Sequence, residues 1–444
     1  MIAYVNKYVL GTTVPFMLVA FGIYFGFRLR WFHIFHPLRT VQVALLGNKR
    51  RAFSSLSLAL AGTLGVGNIV GVSAAISGGG CGAVLWMWVS AFFAMILKYS
   101  EIVIAMRHRR YDSSGNAHGS AMYYIKDALY SMGHRRLGGA LSAIFAILFI
   151  ANALTMGSLI QVGAVTDAFL SVFSFPKQLT AAVVACFTLW VMLGGRHTVM
   201  KLSERIVPLM TCGVLVLSFA VIFIRAREIP VAFFRIFTEA FDIRAIGGGI
   251  FGFLLSDAVR LGTMRGLISN EAGCGTSPTA HTESGNSIPA VQGVWGIFEV
   301  FVDTILLCTV TALVIIVSGV PLDGSGYMEL TVSAYSAVLG EWSAPLLAVA
   351  VLCFGFATVV CWSHYGREGV YFLSKKPAAT LLFCIVYTLS VFFGGIVSSD
   401  VPWQLADLAI GSMTLINLLA LFFCRTELSE ESEILLSKIR SDGR

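Results

Sequence analysis

Charge is scarce in this chain. Only 12% of its 444 residues are Asp, Glu, Lys or Arg, against about 25% in a soluble domain. Half of the usual solvating charge is absent. Two or three soluble domains, which the length alone allows, are therefore excluded. Metal and redox motifs are absent too. The nine cysteines contain no C-x-x-C pair, and the eight histidines contain no H-E-x-x-H or comparable metal spacing. Seven of the cysteines, Cys186, Cys212, Cys308, Cys353, Cys361, Cys384 and Cys424, lie within or at the ends of apolar runs. They read as small buried hydrophobes. No loop clusters acids, histidines or cysteines as a membrane enzyme would, and none carries the charge rings or repeated carbonyl loops of a channel. The chain is expected to be neither an enzyme nor a channel, with no cofactor. No nucleic-acid motif accounts for the net charge of +7.

What the chain has in excess is apolar sequence. Hydrophobic residues make up 57%, and the mean hydropathy is +0.81. Runs of about 20 residues, the length that crosses a bilayer, recur near 10–29, 53–77, 83–106, 139–172, 179–195, 204–224, 245–264, 290–318, 344–372, 378–397 and 402–424. The expectation is one all-α integral membrane domain, 1–424, of about eleven transmembrane helices, followed by a charged tail, 425–444. The segment 326–340 is amphipathic and too short to span, as an interfacial helix would be. Residues 1–9 hold one lysine, and no small-residue cleavage site follows the first apolar run, so that run reads as a span and not as a signal peptide.

Lysine and arginine set the orientation. Arg28, Arg30, Arg39, Lys49, Arg50 and Arg51 follow the first span, and Arg107, Arg109, Arg110, Lys126, Arg135 and Arg136 follow the third. Arg225, Arg227, Arg235 and Arg244, after the sixth, run against the pattern. The balance places the N-terminus outside and the C-terminus in the cytoplasm of a prokaryotic inner membrane.

Two apolar spans are broken by glycine. The first reads Gly62-Thr63-Leu64-Gly65-Val66-Gly67-Asn68-Ile69, the second Gly247-Gly248-Gly249-Ile250-Phe251-Gly252-Phe253. Glycine weakens a helix by about 1 kcal/mol relative to alanine. In lipid, backbone groups freed by an unwound turn must find partners. Such breaks therefore line a polar cavity, or they are small-residue helix crossings. Two of them, one early in each half, point to a transporter built from two repeats.

At these motifs the chain resembles the alanine or glycine:cation symporter family, the sodium:alanine symporters. The resemblance rests on Gly-Thr-Leu-Gly-Val-Gly-Asn-Ile-Val-Gly-Val (62–72), Trp-Met-Trp-Val-Ser-Ala-Phe-Phe (86–93) and Ser-Asn-Glu-Ala-Gly-Cys-Gly-Thr-Ser-Pro (269–278). It covers about 50–420. It implies the leucine-transporter architecture: two inverted five-helix repeats, 53–224 and 245–424, behind an extra N-terminal helix. It also implies symport of a small neutral amino acid, alanine or glycine, with sodium as the co-transported ion, by a monomer. The alternatives are a proton-coupled carrier of another small amino acid or, further off, a channel.

The chemistry of the first break follows from its backbone. Amides at a half-helix N-terminus bind a carboxylate, and Gly65, Val66 and Gly67 supply them. Unwound carbonyls suit a hard cation, and Ala61 and Leu64 offer theirs. Asn68 adds an amide side chain. In the second half, Gly249, Ile250 and Gly252 would receive the substrate ammonium. Gln161, in a stretch similar to the family pattern, offers a hydrogen bond or a bridge between helices. The resemblance adds Thr358 to the sodium shell and Trp362 as a pocket wall. Glu299 and Asp303 are charges inside a span, functional suspects with structural pairing as the other reading. Asn270 and Glu271 are read as capping a gate segment. Departures from the family pattern stand at Val66, Cys81, Ile250, Phe251, Gly163 and Ala164, and they leave substrate identity open.

Overall fold

A computed structural model describes residues 1–44, 49–241, 256–284, 288–322, 326–397 and 400–441. It is nearly all helical. Among the described residues the strands are one short antiparallel pair, Arg110–Tyr111 with Ala117–His118.

The chain folds into a succession of helices, many of them the apolar runs. They are α1 (Ile2–Arg28), α2 (Lys49–Thr63), α3 (Val66–Gly79), α4 (Ala83–Arg107), α5 (Arg135–Phe173), α6 (Lys177–Leu193) and α7 (Thr198–Ile224). After 242–255 come α8 (Asp257–Asn270), α9 (Pro289–Ser318), α10 (Tyr327–Leu339), α11 (Ser343–Leu373), α12 (Pro377–Gly394), α13 (Asp400–Phe423) and α14 (Arg425–Ser441). Among the described residues, eight are long and apolar enough to cross a membrane, nine if α2 and α3 count as one span. The seventh expected run, 245–264, is described only from 256. The short helix expected at 326–340 is α10, and the charged tail is helical as α14.

Burial separates an inner set from an outer one. In α4 and α9, 78% and 72% of the most apolar stretch is buried, against 28% in α7 and α12. Bulky side chains on the outer helices, such as Phe187, Trp190, Leu209 and Phe223, stay exposed. An apolar surface of that extent needs lipid around it. The inner set packs α4 against α8 and α9, and α2 against α11.

The first glycine break is real. The axes of α2 and α3 meet at 58°, and the chain between them is unwound at Leu64–Gly65. Gly65 is extended, with φ −107° and ψ −165°. Besides a π-helical turn at Val5–Leu10 near the start of α1, two more widened turns lie deep inside long spans: Thr155–Ile160 in α5 and Phe301–Cys308 in α9. Gln161 immediately follows the turn in α5 and Asp303 lies in the one in α9. Such turns shift the register of the side chains that follow and recur at functional sites.

Candidate functional site

Everything from Ala61 to Ile69 is buried, so each backbone group freed by the break needs an internal partner. Those partners come from α5, α8, α9 and α11. The Thr358 hydroxyl of α11 donates to the Ala61 carbonyl at 3.0 Å and approaches the Leu64 carbonyl at 3.5 Å. Three oxygens from two helices thus converge on one point. A hydroxyl rotates freely; turned, it presents a lone pair beside the two carbonyls, an oxygen set for a hard cation. The sequence reading named these three residues, and the fold brings them together.

Gln161 meets the break from the other side. Its Oε1 accepts from the Val66 amide at 3.0 Å, and its Nε2 donates to the Met156 carbonyl at 3.1 Å. The Gly65 amide donates to the Thr63 carbonyl at 2.8 Å. Two of the three amides assigned to a substrate carboxylate are therefore engaged here. A carboxylate reaching the Val66 amide would have to displace Gln161 Oε1.

Asn68 turns toward α9. Its Nδ2 donates to Asp303 Oδ1 at 2.7 Å and lies 3.1 Å from Ser269 Oγ and from the Asp303 carbonyl. Its Oδ1 is buried and has no hydrogen-bond partner among the described residues. Ser269 and Thr304 donate to Asp303 Oδ2 at 2.6 and 2.8 Å. The aspartate singled out as a charge within a span is thus held at the break itself.

Trp362 is fully buried. Its ring lies 5.3 Å from that of Tyr365 and 5.9 Å from that of Phe149, and its Nε1 donates to Glu271 Oε1 at 3.2 Å. Glu271 ends α8 in a left-handed conformation, φ 53°, with its amide bonded to the Leu267 carbonyl. Glycine suits such a position better. The glutamate persists there because its carboxylate also accepts from Thr276 at 2.6 Å and ties the loop to α11. Asn270 does cap the turn: its Oδ1 accepts from the Ala272 amide at 3.0 Å. Gly249, Ile250, Phe251 and Gly252 lie outside the described residues.

Sequence reasoning missed Lys98. It is completely buried on α4, 3.2 Å from Glu299 Oε1, and bonded to the Asn270 carbonyl at 2.6 Å and to Ser277 Oγ. Glu299 also accepts from Thr63 at 3.2 Å and meets His281 Nε2 at 3.0 Å, whose Nδ1 pairs with Gln292 at 2.8 Å. The network joins the end of α2 to α4, α9 and the loop after α8. Lys98 stands in the second half of its apolar run, where a lone lysine reads as a side chain reaching for the interface. The signal that would have found it is the second charge, Glu101, one turn further on.

A cavity of about 890 Å³ opens between α5, α6, α10, α12 and α13. Val70, Gly163, Ala164 and Trp403 line it, with Asp167, Lys177, Glu329 and Asp400. Gly163 and Ala164, two departures noted above, therefore lie on a cavity wall.

The family model described as the sodium:alanine symporter family matches residues 1–438. A sodium/alanine symporter, AgcS, of Methanococcus maripaludis is 32% identical over 428 residues, 94% of this chain and 92% of the relative. A probable sodium/glutamine symporter, GlnT, of Bacillus subtilis is 31% identical, over 91% and 84% of the two chains. Among solved structures, a variant of the Eremococcus coleocola manganese transporter superposes with a TM-score of 0.50 at 16% identity, over 84% of this chain and 77% of that one. At that identity the likeness concerns the fold alone.

Proposed function

The chain belongs to the sodium:alanine symporter family, and from that premise we infer that it imports a small neutral amino acid, alanine or glycine, together with sodium. The observation that carries this reading is the convergence of the Ala61 and Leu64 carbonyls on the Thr358 hydroxyl at a 58° break in a buried span. Carbonyl and hydroxyl oxygens bind a metal cation without titrating, which favours sodium over a proton. The amides of Gly65, Val66 and Gly67, at the N-terminus of α3, receive the substrate carboxylate. Gln161 and Asn68 supply polar contacts, and Trp362 walls the pocket. Gly249, Ile250 and Gly252 take the ammonium end. Two inverted repeats, 53–224 and 245–424, rock about this site, with the N-terminus outside and the C-terminus cytoplasmic.

Uptake of labelled alanine, glycine and glutamine into proteoliposomes tests the reading. A sodium gradient should drive accumulation of the small substrates. Equal uptake in choline buffer under a pH gradient would instead make the ion a proton, and gradient-independent flux would make the protein a channel. Thr358→Val keeps the side-chain shape and removes one oxygen. The sodium concentration for half-maximal uptake should rise about tenfold, the scale of a 1.4 kcal/mol loss. Because ion and substrate sites are linked, apparent alanine affinity at fixed sodium should fall with it, and high sodium should restore part of the loss. An unchanged sodium dependence removes Thr358 from the ion shell.

A further inference from the structure

We propose that His108, Cys424 and Glu427 form a binding site for one divalent transition-metal ion of the zinc class, fastening α14 to the end of α4. The Nε2 or Nδ1 of His108, Sγ of Cys424 and a carboxylate oxygen of Glu427 all lie within 4.8 Å of one another. They belong to separate parts of the sequence. His108 directly follows the last turn of α4, its amide bonded to the Ile104 carbonyl at 3.0 Å. Cys424 and Glu427 stand one helical turn apart where α13 passes into α14, and the Leu428 amide bonds the Cys424 carbonyl at 3.0 Å across that junction. The two side chains therefore share a face, and that face looks at the imidazole.

The donor set is that of zinc. Thiolate, imidazole and carboxylate are its three usual ligand types, and three protein ligands leave a fourth position for water. Soft sulfur beside nitrogen selects against magnesium and calcium, which take oxygen. The outer partner is in place as well. Asp127 Oδ2 holds His108 Nδ1 at 3.1 Å, and Arg110 holds the other Asp127 oxygen at 2.7 Å. A carboxylate on the far nitrogen fixes the ring and leaves Nε2 as the ligating atom, as in most histidine–zinc sites. That Nε2 now lies 2.8 Å from Glu427 Oε2.

Ligand atoms on one zinc ion stand about 3.3–3.8 Å apart, from zinc–ligand bonds of about 2.0–2.3 Å. With the three ligand atoms within 4.8 Å of one another and His108 Nε2 at 2.8 Å from Glu427 Oε2, an ion has to draw the widest pair in by up to about 1 Å and part the imidazole and the carboxylate by about 0.5 Å; the Glu427 side chain, 32% exposed, has room to turn for this. Cys424 is 1% exposed, which protects the thiol from bulk solvent. Arg107 Nε approaches Glu427 Oε2 at 3.4 Å and competes for it, but Arg107 also holds Glu430 and Glu431 at 3.0 and 3.4 Å. It can keep those partners when Glu427 turns to the ion. The fold alone creates this site: no sequence spacing links His108 to a pair more than 300 residues away.

Cobalt titration of the full-length protein in lipid nanodiscs tests the proposal, because a cobalt–thiolate bond has its own near-ultraviolet charge-transfer absorption. The expected result is saturation at one equivalent, with that band lost in Cys424→Ser. In Asp127→Asn, which leaves all three ligands, affinity should fall about 10–100-fold. Zinc calorimetry on Glu427→Gln, a partly exposed and conservative change, repeats the test if the cysteine variant does not fold; there the single equivalent should weaken at least tenfold. Absence of the band in the wild-type protein overturns the proposal. So does a band that survives Cys424→Ser, which would place cobalt on another cysteine, or zinc affinity unmoved by Glu427→Gln.

Discussion

Gly65→Ala should reduce sodium-driven alanine uptake by more than tenfold while leaving the protein folded. A Cβ at residue 65 would lie 2.8 Å from both Gln161 Oε1 and Thr358 Oγ1, and 3.1 Å from Gln161 Nε2. Neither neighbour yields easily. Thr358 is β-branched and stiff at χ1, and Gln161 is held at both ends by Val66 and Met156. Relief of the clash must move the proposed ion ligand, the substrate contact, or the backbone between them. Overpacking of this kind costs about 1–3 kcal/mol of stability, so unfolding should shift by a few degrees only. Sodium-dependent alanine binding on purified protein separates the two effects. Gly67→Ala is the control two residues away. Its Cβ would meet Ile268 Cγ2 and the Ser269 Cα at 3.9 Å, ordinary contact, and its uptake should persist. Wild-type uptake in Gly65→Ala would place the ion and substrate elsewhere.

Lys98→Met should destabilise the protein more than any change at the break. The ammonium is completely buried against Glu299 and bonds Asn270 and Ser277. Removing one partner of a buried pair leaves the other charge without its counter-ion, at about 3–5 kcal/mol. Thr63 and His281 still donate to Glu299, but neither has a permanent positive charge. The double variant Lys98→Met with Glu299→Leu removes both charges and should recover part of the loss, since apolar replacement of a whole buried pair is often neutral. Thermal unfolding in detergent reads both, and the cycle isolates the pair from the separate effects of each residue. Equal melting of Lys98→Met and wild type would show that the pair contributes nothing, and a double variant worse than both singles would show that Glu299 serves other partners first.

Among the described residues, nine of the eleven expected spans are found where hydropathy placed them, counting the bent pair as one, because a bilayer imposes a length and an apolar composition that neighbours along the chain satisfy together; 179–195 forms a shorter apolar helix, and 245–264 is described only from 256. The run at 53–77 is the instructive one. Hydropathy reads it as one span, glycines at 62, 65 and 67 read it as two half-helices, and the structure bends it by 58°. Thr358 was likewise legible, since the family pattern and a break needing an oxygen partner pointed to the same hydroxyl. Gln161 was legible as a polar group but not as the acceptor for Val66; that role depends on a π-helical turn at 155–160 that no local composition announces.

Local features thus determined membrane class, spans, the first break and family membership from the sequence by itself: each is a property of contiguous residues and of the solvent they meet. Tertiary structure decided which buried polar groups share partners. Asn68 and Asp303 are 235 residues apart, and Lys98 and Glu299 stand on two helices, α4 and α9, far apart in the sequence. Within lipid a buried charge or amide must find its partner inside the protein. Several candidates exist for each, and only the packing of α2, α4, α8, α9 and α11 brings one of them within hydrogen-bond distance.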